Sequence, residues 1–250
     1  MSTRALLVSI ALAAVISVFF WHTLPVYPFR LLVTLLHESS HALMAKLLGG
    51  KVVSVTISPT EGGLTQSLFP ASRLDGMLVA SAGYVGSSLW GALLLVAAGR
   101  MRSGRAILWT LVVWMWLVVL LWVPFKPPAN TGSAIQHATG YAQTDGLFTM
   151  AFAIPLGLVL GLVAWKAPLW LRRATVVWIA TMSCLAALEG IKGLFGYGLA
   201  GSSSDADAMQ HLTHIPAAFW AGLWMLLSLA AMILGVRSIV RRRRGATTGG

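Results

Sequence analysis

Apolar residues run along the chain in long stretches that short polar or basic segments separate. A run of about 20 apolar residues is long enough to cross a bilayer as a helix. The pattern therefore predicts an all-α polytopic membrane protein of six or seven transmembrane helices, with no segment left over for a water-soluble domain. The predicted spans lie near residues 5–23, 29–48, 77–98, 106–124, 147–165, 174–190 and 216–236.

One segment departs from this pattern, at residues 51–68 after the second span. It is rich in β-branched residues, glycine pairs bracket it, and Pro59 lies near a possible turn. These features predict a short β-hairpin. We therefore expect one integral-membrane domain over residues 1–250, made of a first span, a second helix, the hairpin, the remaining spans over 77–236 and a basic tail over 237–250.

Composition agrees with a membrane location. Hydrophobic residues make up 57% of the 250 positions and charged residues only 10%, a balance that excludes an ordinary soluble domain. The net charge of +11 comes from basic residues between and after the apolar runs, which indicates membrane topology and not a nucleic-acid partner. The single cysteine, Cys184, excludes an intrachain disulfide.

The basic segments also predict the orientation, because cytoplasmic loops carry an excess of Lys and Arg. Three basic clusters follow the third, fifth and last spans, so all three lie on the same side of the membrane. They place the C-terminus in the cytoplasm. Scattered basic residues near the first three spans weigh against this orientation for the N-terminal half. The three clusters are Arg100, Arg102 and Arg105; Lys166, Arg172 and Arg173; and Arg237 with Arg241, Arg242, Arg243 and Arg244.

The chemistry-bearing motif lies in the second span. His37 and His41 are four residues apart, so on a helix they share one face, and Glu38 lies beside them. H-E-x-x-H on a helix provides two imidazole ligands for Zn²⁺ and a carboxylate that can take a proton from water. This arrangement is typical of metalloproteases.

Three ionisable groups in the middle of a span need compensation. Each would cost about 2.5–3.5 kcal/mol on insertion scales if it were left unpaired. Polar residues can also serve only as hydrogen-bonding contacts between helices. A bound cation compensates all three at once, so we favour a metal site.

A catalytic zinc site has three protein ligands and one open position. The sequence has few acidic residues to supply the third ligand, and the residues alone leave the choice open. The candidates are Glu61, Asp75, Asp145, Glu189, Asp205 and Asp207.

Four segments resemble the motif series of bacterial membrane metalloproteases related to the site-two protease, in the smaller branch without a PDZ domain. The resemblance implies an integral-membrane zinc endopeptidase, in a bacterial cell membrane, that cuts substrates in or near the bilayer. The segments are "LLHESSHALMAKLLGG", "KVVSVTISPTEGGLT", "ASAGYVGSSLWGALLL" and "SDADAMQHLTHIPA".

In the branch that this chain resembles, a Ser-Asp pair followed by a short helix and Ile-Pro occupies the third-ligand position, which maps to Asp205. Asp207 is the alternative, although S-x-x-D spacing from Ser204 predicts a helix cap for it. Asp75 lies in the tripeptide "LDG" that carries the third ligand in site-two proteases, but it precedes the third span and follows no Asn-Pro motif, so we expect a solvated helix start. Glu189 or a histidine remains a further alternative.

Other residues have less specific roles. His211 and His214, three apart near Asp205, could orient a ligand or stabilise an oxyanion, or could be interfacial histidines. The resemblance implies a strand edge on which an extended substrate pairs, and we assign this edge to Val53, Val55 and Ile57.

Small residues recur in the later spans. Gly83, Ser87 and Gly91 lie four apart in the third span, and we expect this face to pack against the zinc-motif helix. Gly157 and Gly161 predict a similar contact in the fifth span. Tyr84 lies next to Gly83 and could reach the site, although a packing role is the simpler expectation.

The sequence thus predicts a membrane zinc endopeptidase with a membrane protein or peptide as substrate. The ligands would be His37, His41 and Asp205, with Glu38 as general base and then acid. The main alternative is a zinc-binding membrane scaffold or transporter without turnover. A membrane protease of the CAAX-processing type is a weaker alternative, because those zinc enzymes use a Glu as third ligand and the only embedded candidate for that ligand here is Glu189.

Overall fold

Eight helices and one two-stranded sheet make up the described part of this chain. The computed structural model describes residues 3–69, 72–100, 103–125, 145–197 and 204–247, with the side chains of 3, 145, 186–197, 239 and 241–247 excepted. The helices are α1 (Thr3–Phe19), α2 (Tyr27–Leu47), α3 (Arg73–Arg100), α4 (Arg105–Trp122), α5 (Asp145–Lys166), α6 (Leu169–Tyr197), α7 (Asp205–Thr213) and α8 (Ala217–Thr247), and the strands are β1 (Lys51–Ile57) and β2 (Gly63–Leu68).

Each of the seven predicted spans coincides with a helix, which confirms the polytopic all-α fold class with its hairpin. Among the described residues, α3, α4, α5 and α8 contain segments long and apolar enough to cross a membrane, and α1 is a shorter apolar helix. Several helices extend beyond the predicted bounds. An apolar run predicts only the membrane-spanning part of a helix. Helix α8, for example, continues into the basic segment as far as Thr247.

A tight turn joins α2 to the hairpin. Gly49 has a φ of 78°, a left-handed conformation that glycine adopts without a steric penalty and that ends the helix. The Gly50 amide then donates to the Ala45 carbonyl at 2.8 Å. Because only this short turn separates them, β1 and β2 return along α2 and lie against its polar face.

The hairpin is antiparallel, with Val55 opposite Thr65 and Ile57 opposite Gly63. The C-terminal end of β1 is bonded to α5, since the Ile57 amide donates to the Thr149 hydroxyl at 2.7 Å. Val55 and Ile57 are fully buried, whereas every residue of β2 is at least partly exposed. Strand β2 is therefore the more accessible of the two.

An ion pair fixes the turn of the hairpin to α2. The Arg30 guanidinium lies 2.6 Å from the Glu61 carboxylate, and only 7% of Arg30 is exposed. The Thr34 hydroxyl lies 3.1 Å from the Glu61 carbonyl, and the Tyr27 hydroxyl donates to the Pro59 carbonyl at 2.7 Å. These contacts hold the hairpin in one position relative to the motif on α2.

Helix α3 lies at the centre of the bundle and packs against α2, α6, α7 and α8. The small residues of α3 allow this close packing, but not all of them face the helix that was predicted. Gly83 does face the motif histidines of α2. The prediction is wrong for Gly91, which faces Cys184 and Ala180 of α6, because eight residues along a helix rotate its face away from a neighbour that crosses at an angle.

Gly157 and Gly161 of α5 make the predicted kind of close contact. Their partners are Trp116 and Trp109 of α4, whose indole rings lie across the two glycines. A side chain at either position would displace a ring, so the α4–α5 pair depends on small residues on one helix and large residues on the other.

Substitution of Gly91 tests the close packing of α3 on α6. A Cβ at this position would lie 2.5 Å from the Cys184 sulfur and 2.7 Å from its backbone nitrogen. We expect Gly91→Ala to lower stability by about 1–3 kcal/mol through overpacking. Gly222→Ala is the matched control, because a Cβ there has no neighbour within 4 Å. Thermal unfolding in detergent should show a lower Tm for the first variant only, and equal Tm values would contradict the packing.

Candidate metal centre

The motif on α2 brings two imidazoles together on one helical face. His37 and His41 lie one turn apart, their ring centroids are 4.8 Å apart, and their Nε2 atoms are 3.1 Å apart. When both Nε2 atoms are unprotonated, the pair presents two lone pairs to one point in space, as ligands of a shared ion do.

Asp205 reaches this point from a distant part of the sequence. It is the first residue of α7, and its Oδ2 lies 3.0 Å from Nε2 of His37 and 3.3 Å from Nε2 of His41. Among the described residues, these three form a group whose possible ligand atoms are close enough to hold one metal ion.

A helix cap positions Asp205. The Asp207 amide donates to the Ser204 hydroxyl at 3.2 Å, and the Ser204 amide donates to Asp207 Oδ2 at 3.0 Å. This reciprocal pair is a capping box, which satisfies the first amides of α7 and fixes where the helix starts. Asp207 thus has the capping contacts that its spacing predicts, and its neighbour Asp205 projects to the histidines.

The donor set fits zinc. In tetrahedral zinc sites with ligand distances of ~2.0–2.1 Å, the ligand atoms lie about 3.3 Å from one another. The three edges observed here are 3.0, 3.1 and 3.3 Å. Two imidazoles and one carboxylate are also the ligand types that occur in catalytic zinc sites with one open position.

The tautomer of His41 suits this role. Its Nδ1 donates to the Val79 carbonyl of α3 at 2.6 Å, so in the neutral ring the proton is on Nδ1 and the lone pair is on Nε2. Gly83, one turn after Val79 on the same helix, has no side chain to interfere. A Cβ there would overlap Nε2 of both His37 and His41.

The carboxyl of Asp205 is ionised in this cluster. Burial raises the pKa of Asp205, but His41 and His37 beside it lower the pKa by more, so the carboxyl is ionised well below its ordinary range. Asp205 therefore presents a carboxylate, not a carboxylic acid, to the two imidazoles. A carboxylate is the form that binds a cation.

Glu38 is buried on α2 beside the histidines and is held by the hairpin. The Thr65 hydroxyl lies 2.8 Å from Glu38 Oε2 and 2.8 Å from the Glu38 carbonyl oxygen. Gly63 lies over the same carboxylate, and a Cβ on it would overlap the Glu38 side chain. Gly63 and Thr65 share one face of β2 because side chains alternate along a strand.

Tyr84 of α3 lies on another side of the cluster. Its ring meets the His37 ring edge to face, with centroids 4.7 Å apart. It also stacks on Trp224 of α8, with centroids 4.9 Å apart and an interplanar angle of 16°. The predicted packing role is present, and the ring is also in contact with a candidate ligand.

The remaining predicted residues lie elsewhere. His211 and His214 are exposed and line a shallow pocket with Gln210 and Pro216, and neither belongs to the cluster. Asp75 accepts a hydrogen bond from Ser72 at the start of α3, as a solvated helix start does. The Glu189 side chain lies outside those that the structure describes.

Strand β2 contacts the motif carboxylate, since Gly63 and Thr65 lie against Glu38. The assignment of the substrate edge to Val53, Val55 and Ile57 of β1 stays a prediction. The glycine pair followed by threonine was a usable signal, because a residue without a side chain and a hydroxyl two positions later suit a close approach to a carboxylate.

The fold and the site define a polytopic membrane protein with an HExxH-and-aspartate centre of the metalloprotease type. The family model described as Peptidase M50B-like matches residues 10–129 and 139–235, and the chain belongs to this site-two-protease-like family of membrane metalloproteases. Neither the curated proteins nor the solved structures contain a match to the chain.

Gly83 provides a test of the cluster that leaves its side chains intact. We expect Gly83→Ala to weaken zinc binding by about 10- to 100-fold or more, because the new methyl group displaces both imidazoles. Zinc stoichiometry of the purified protein and titration with zinc would measure the loss. Gly222→Ala should bind zinc as the unchanged protein does, and equal affinity in the Gly83 variant would contradict the geometry.

Proposed function

We propose that the protein is a membrane-embedded zinc endopeptidase that hydrolyses peptide bonds in membrane or juxtamembrane segments. One observation carries the proposal: His37 and His41 of α2 meet Asp205, 164 or more positions along the chain, while β2 holds Glu38 beside them. A helix-packing role for these polar groups would not require a distant carboxylate within 3.3 Å of both imidazoles.

In this proposal His37, His41 and Asp205 hold Zn²⁺. When bound, the ion acts as a Lewis acid that makes water a better nucleophile and polarises a carbonyl group. The Val79 carbonyl keeps His41 in the tautomer that exposes Nε2. The capping box at the start of α7 keeps Asp205 in reach of both histidines.

Glu38 acts as the general base and then as the general acid. Its carboxylate takes a proton from water as the water oxygen bonds to the peptide carbonyl carbon. The carboxyl then gives that proton to the peptide nitrogen as the C–N bond breaks, so each product is complete. Thr65 keeps the Glu38 side chain in one orientation by hydrogen bonding to Oε2.

The substrate in this proposal is an apolar segment that becomes extended near the centre. Strand β2 is partly exposed along its length and contacts Glu38, so a substrate that adds to its edge would pass the base. A helical substrate cannot expose its carbonyl groups to attack, and strand pairing replaces the backbone hydrogen bonds that unwinding removes. We propose a bacterial cell membrane on the family resemblance, and a cytoplasmic C-terminus on the distribution of basic residues.

Replacement of the base separates an enzyme from a zinc-binding scaffold or transporter. We expect Glu38→Gln to lower cleavage by about 10²- to 10⁴-fold, because the amide cannot accept the proton. Zinc content should stay unchanged, since Glu38 is not in the ligand group. Products from a mixture of apolar single-span peptides in detergent micelles would be identified by mass spectrometry. No cleavage by the unchanged protein under zinc-loaded conditions would overturn the proposal.

Thr65 is expected to act through Glu38. Thr65→Val keeps the shape of the side chain but removes the hydroxyl, so Glu38 loses its hydrogen-bond partner on β2. We expect cleavage to fall by about 10- to 100-fold with zinc content retained. Thr65→Ser restores a hydroxyl at the same position and should recover most of the activity. A valine variant as active as the serine variant would show that Glu38 needs no such partner.

A further inference from the structure

The centre contains a base and three candidate ligands, but, apart from the proposed ion, no side chain is assigned to the peptide carbonyl oxygen. This oxygen gains negative charge as water adds, and a hydrogen-bond donor placed beside it lowers the barrier. The single asparagine, Asn130, lies outside the described residues, and the exposed His211 and His214 are not part of the cluster. The donor must be sought among other side chains near His37.

Most hydroxyl groups around the motif are already bonded. Each of the following donates to, or lies in hydrogen-bond contact with, a nearby acceptor: Ser39 and Ser40 with the Leu36 carbonyl, Ser87 with the Gly83 carbonyl, and Thr65 with Glu38. Tyr84 differs, since its hydroxyl makes no hydrogen bond to any residue in the described part of the chain.

The Tyr84 ring is held firmly at the centre. Its edge-to-face contact with His37 and its stack on Trp224 restrict it from two sides. Tyr84 also follows Gly83, the residue at which the α3 backbone comes closest to both histidine Nε2 atoms. A ring fixed in this way carries its hydroxyl at a defined position, which costs little reorganisation during a reaction.

The Tyr84 ring contacts the ring of His37, a candidate metal ligand, and also stacks on Trp224. The ring therefore lies on the side of α3 that faces the centre and α8. The hairpin contacts Glu38, whereas α8 contacts Tyr84. Different elements therefore position the base and the hydrogen-bond donor. A carbonyl group attacked by water needs a base near the water and a donor near the carbonyl oxygen.

We propose that Tyr84 is a catalytic residue whose phenolic hydroxyl donates a hydrogen bond to the carbonyl oxygen of the scissile peptide. This inference rests on the proposed peptidase function. The hydrogen bond strengthens as charge develops on the oxygen, so it stabilises the transition state more than the bound substrate. Tyr84 keeps its proton throughout, and no bond to it forms or breaks.

Tyr84→Phe isolates this role, because phenylalanine keeps the ring contacts with His37 and Trp224 and lacks only the hydroxyl. The probe is the apolar peptide that the unchanged protein cleaves fastest in detergent micelles. We expect kcat to fall by about 10²- to 10³-fold, the usual effect of removing one such donor, with KM nearly unchanged. Zinc content and Tm should equal those of the unchanged protein.

Ser88→Ala is the matched control. Ser88 is one turn from Tyr84 on α3, its hydroxyl donates to the Tyr84 carbonyl, and it contacts the hydroxyl of Ser228, which itself donates to the Trp224 carbonyl. This variant should keep kcat within about twofold, since the lost hydroxyl lies outside the centre.

A second readout does not depend on turnover. A phosphinic analogue of the cleaved peptide carries a tetrahedral, negatively charged group, and its affinity for the zinc-loaded Phe variant should fall by the same factor as kcat/KM. Full kcat, unchanged analogue affinity or loss of zinc in Tyr84→Phe would each overturn the catalytic role. Absence of cleavage by the unchanged protein would instead overturn the proposed peptidase function and this inference with it.

Discussion

The fold depends on contacts among the buried polar side chains of the candidate metal centre. Two imidazoles and two carboxylates lie among apolar helices, and each alone would be costly to remove from water. At the centre, the carboxylate of Asp205 lies within 3.3 Å of both His37 and His41, and the three side chains could hold one metal ion. The arrangement lets α2, α3 and α7 converge on a polar point, which hydrophobic packing alone would not favour.

Each surrounding element helps to position the polar side chains of the centre. On helix α3, the Val79 carbonyl orients the His41 imidazole, and Gly83 leaves space for both imidazoles. The capping box fixes α7, and the Arg30–Glu61 ion pair holds the hairpin turn on α2. None of these contacts involves reaction chemistry. Together they restrict four side chains to positions in which a metal, a base and a peptide could meet.

Sequence alone predicted those features that depend on local pattern. Apolar runs mark the helices, and β-branched residues between glycine pairs mark the hairpin. Spacing of four identifies the histidine pair. The motif resemblance led to Asp205, although spacing could not separate it from the other acidic residues. What could not be predicted depends on which segments touch: Thr65 on Glu38, and Gly91 on α6 and not α2. Such contacts join residues far apart in sequence, and hydrophobicity carries no information about them.

Helical geometry links the two consecutive residues Gly83 and Tyr84. Successive residues on a helix are rotated by about 100°, so a backbone that faces the histidines at one position must direct the next side chain to a flank. Here that flank is occupied by Trp224, which stacks on the Tyr84 ring, and by His37, which the ring also contacts. A side chain at position 83 would overlap both imidazoles, so this close approach of α3 requires glycine there. The space for the ligands and the placement of the tyrosine thus follow from a single close approach of α3 to α2.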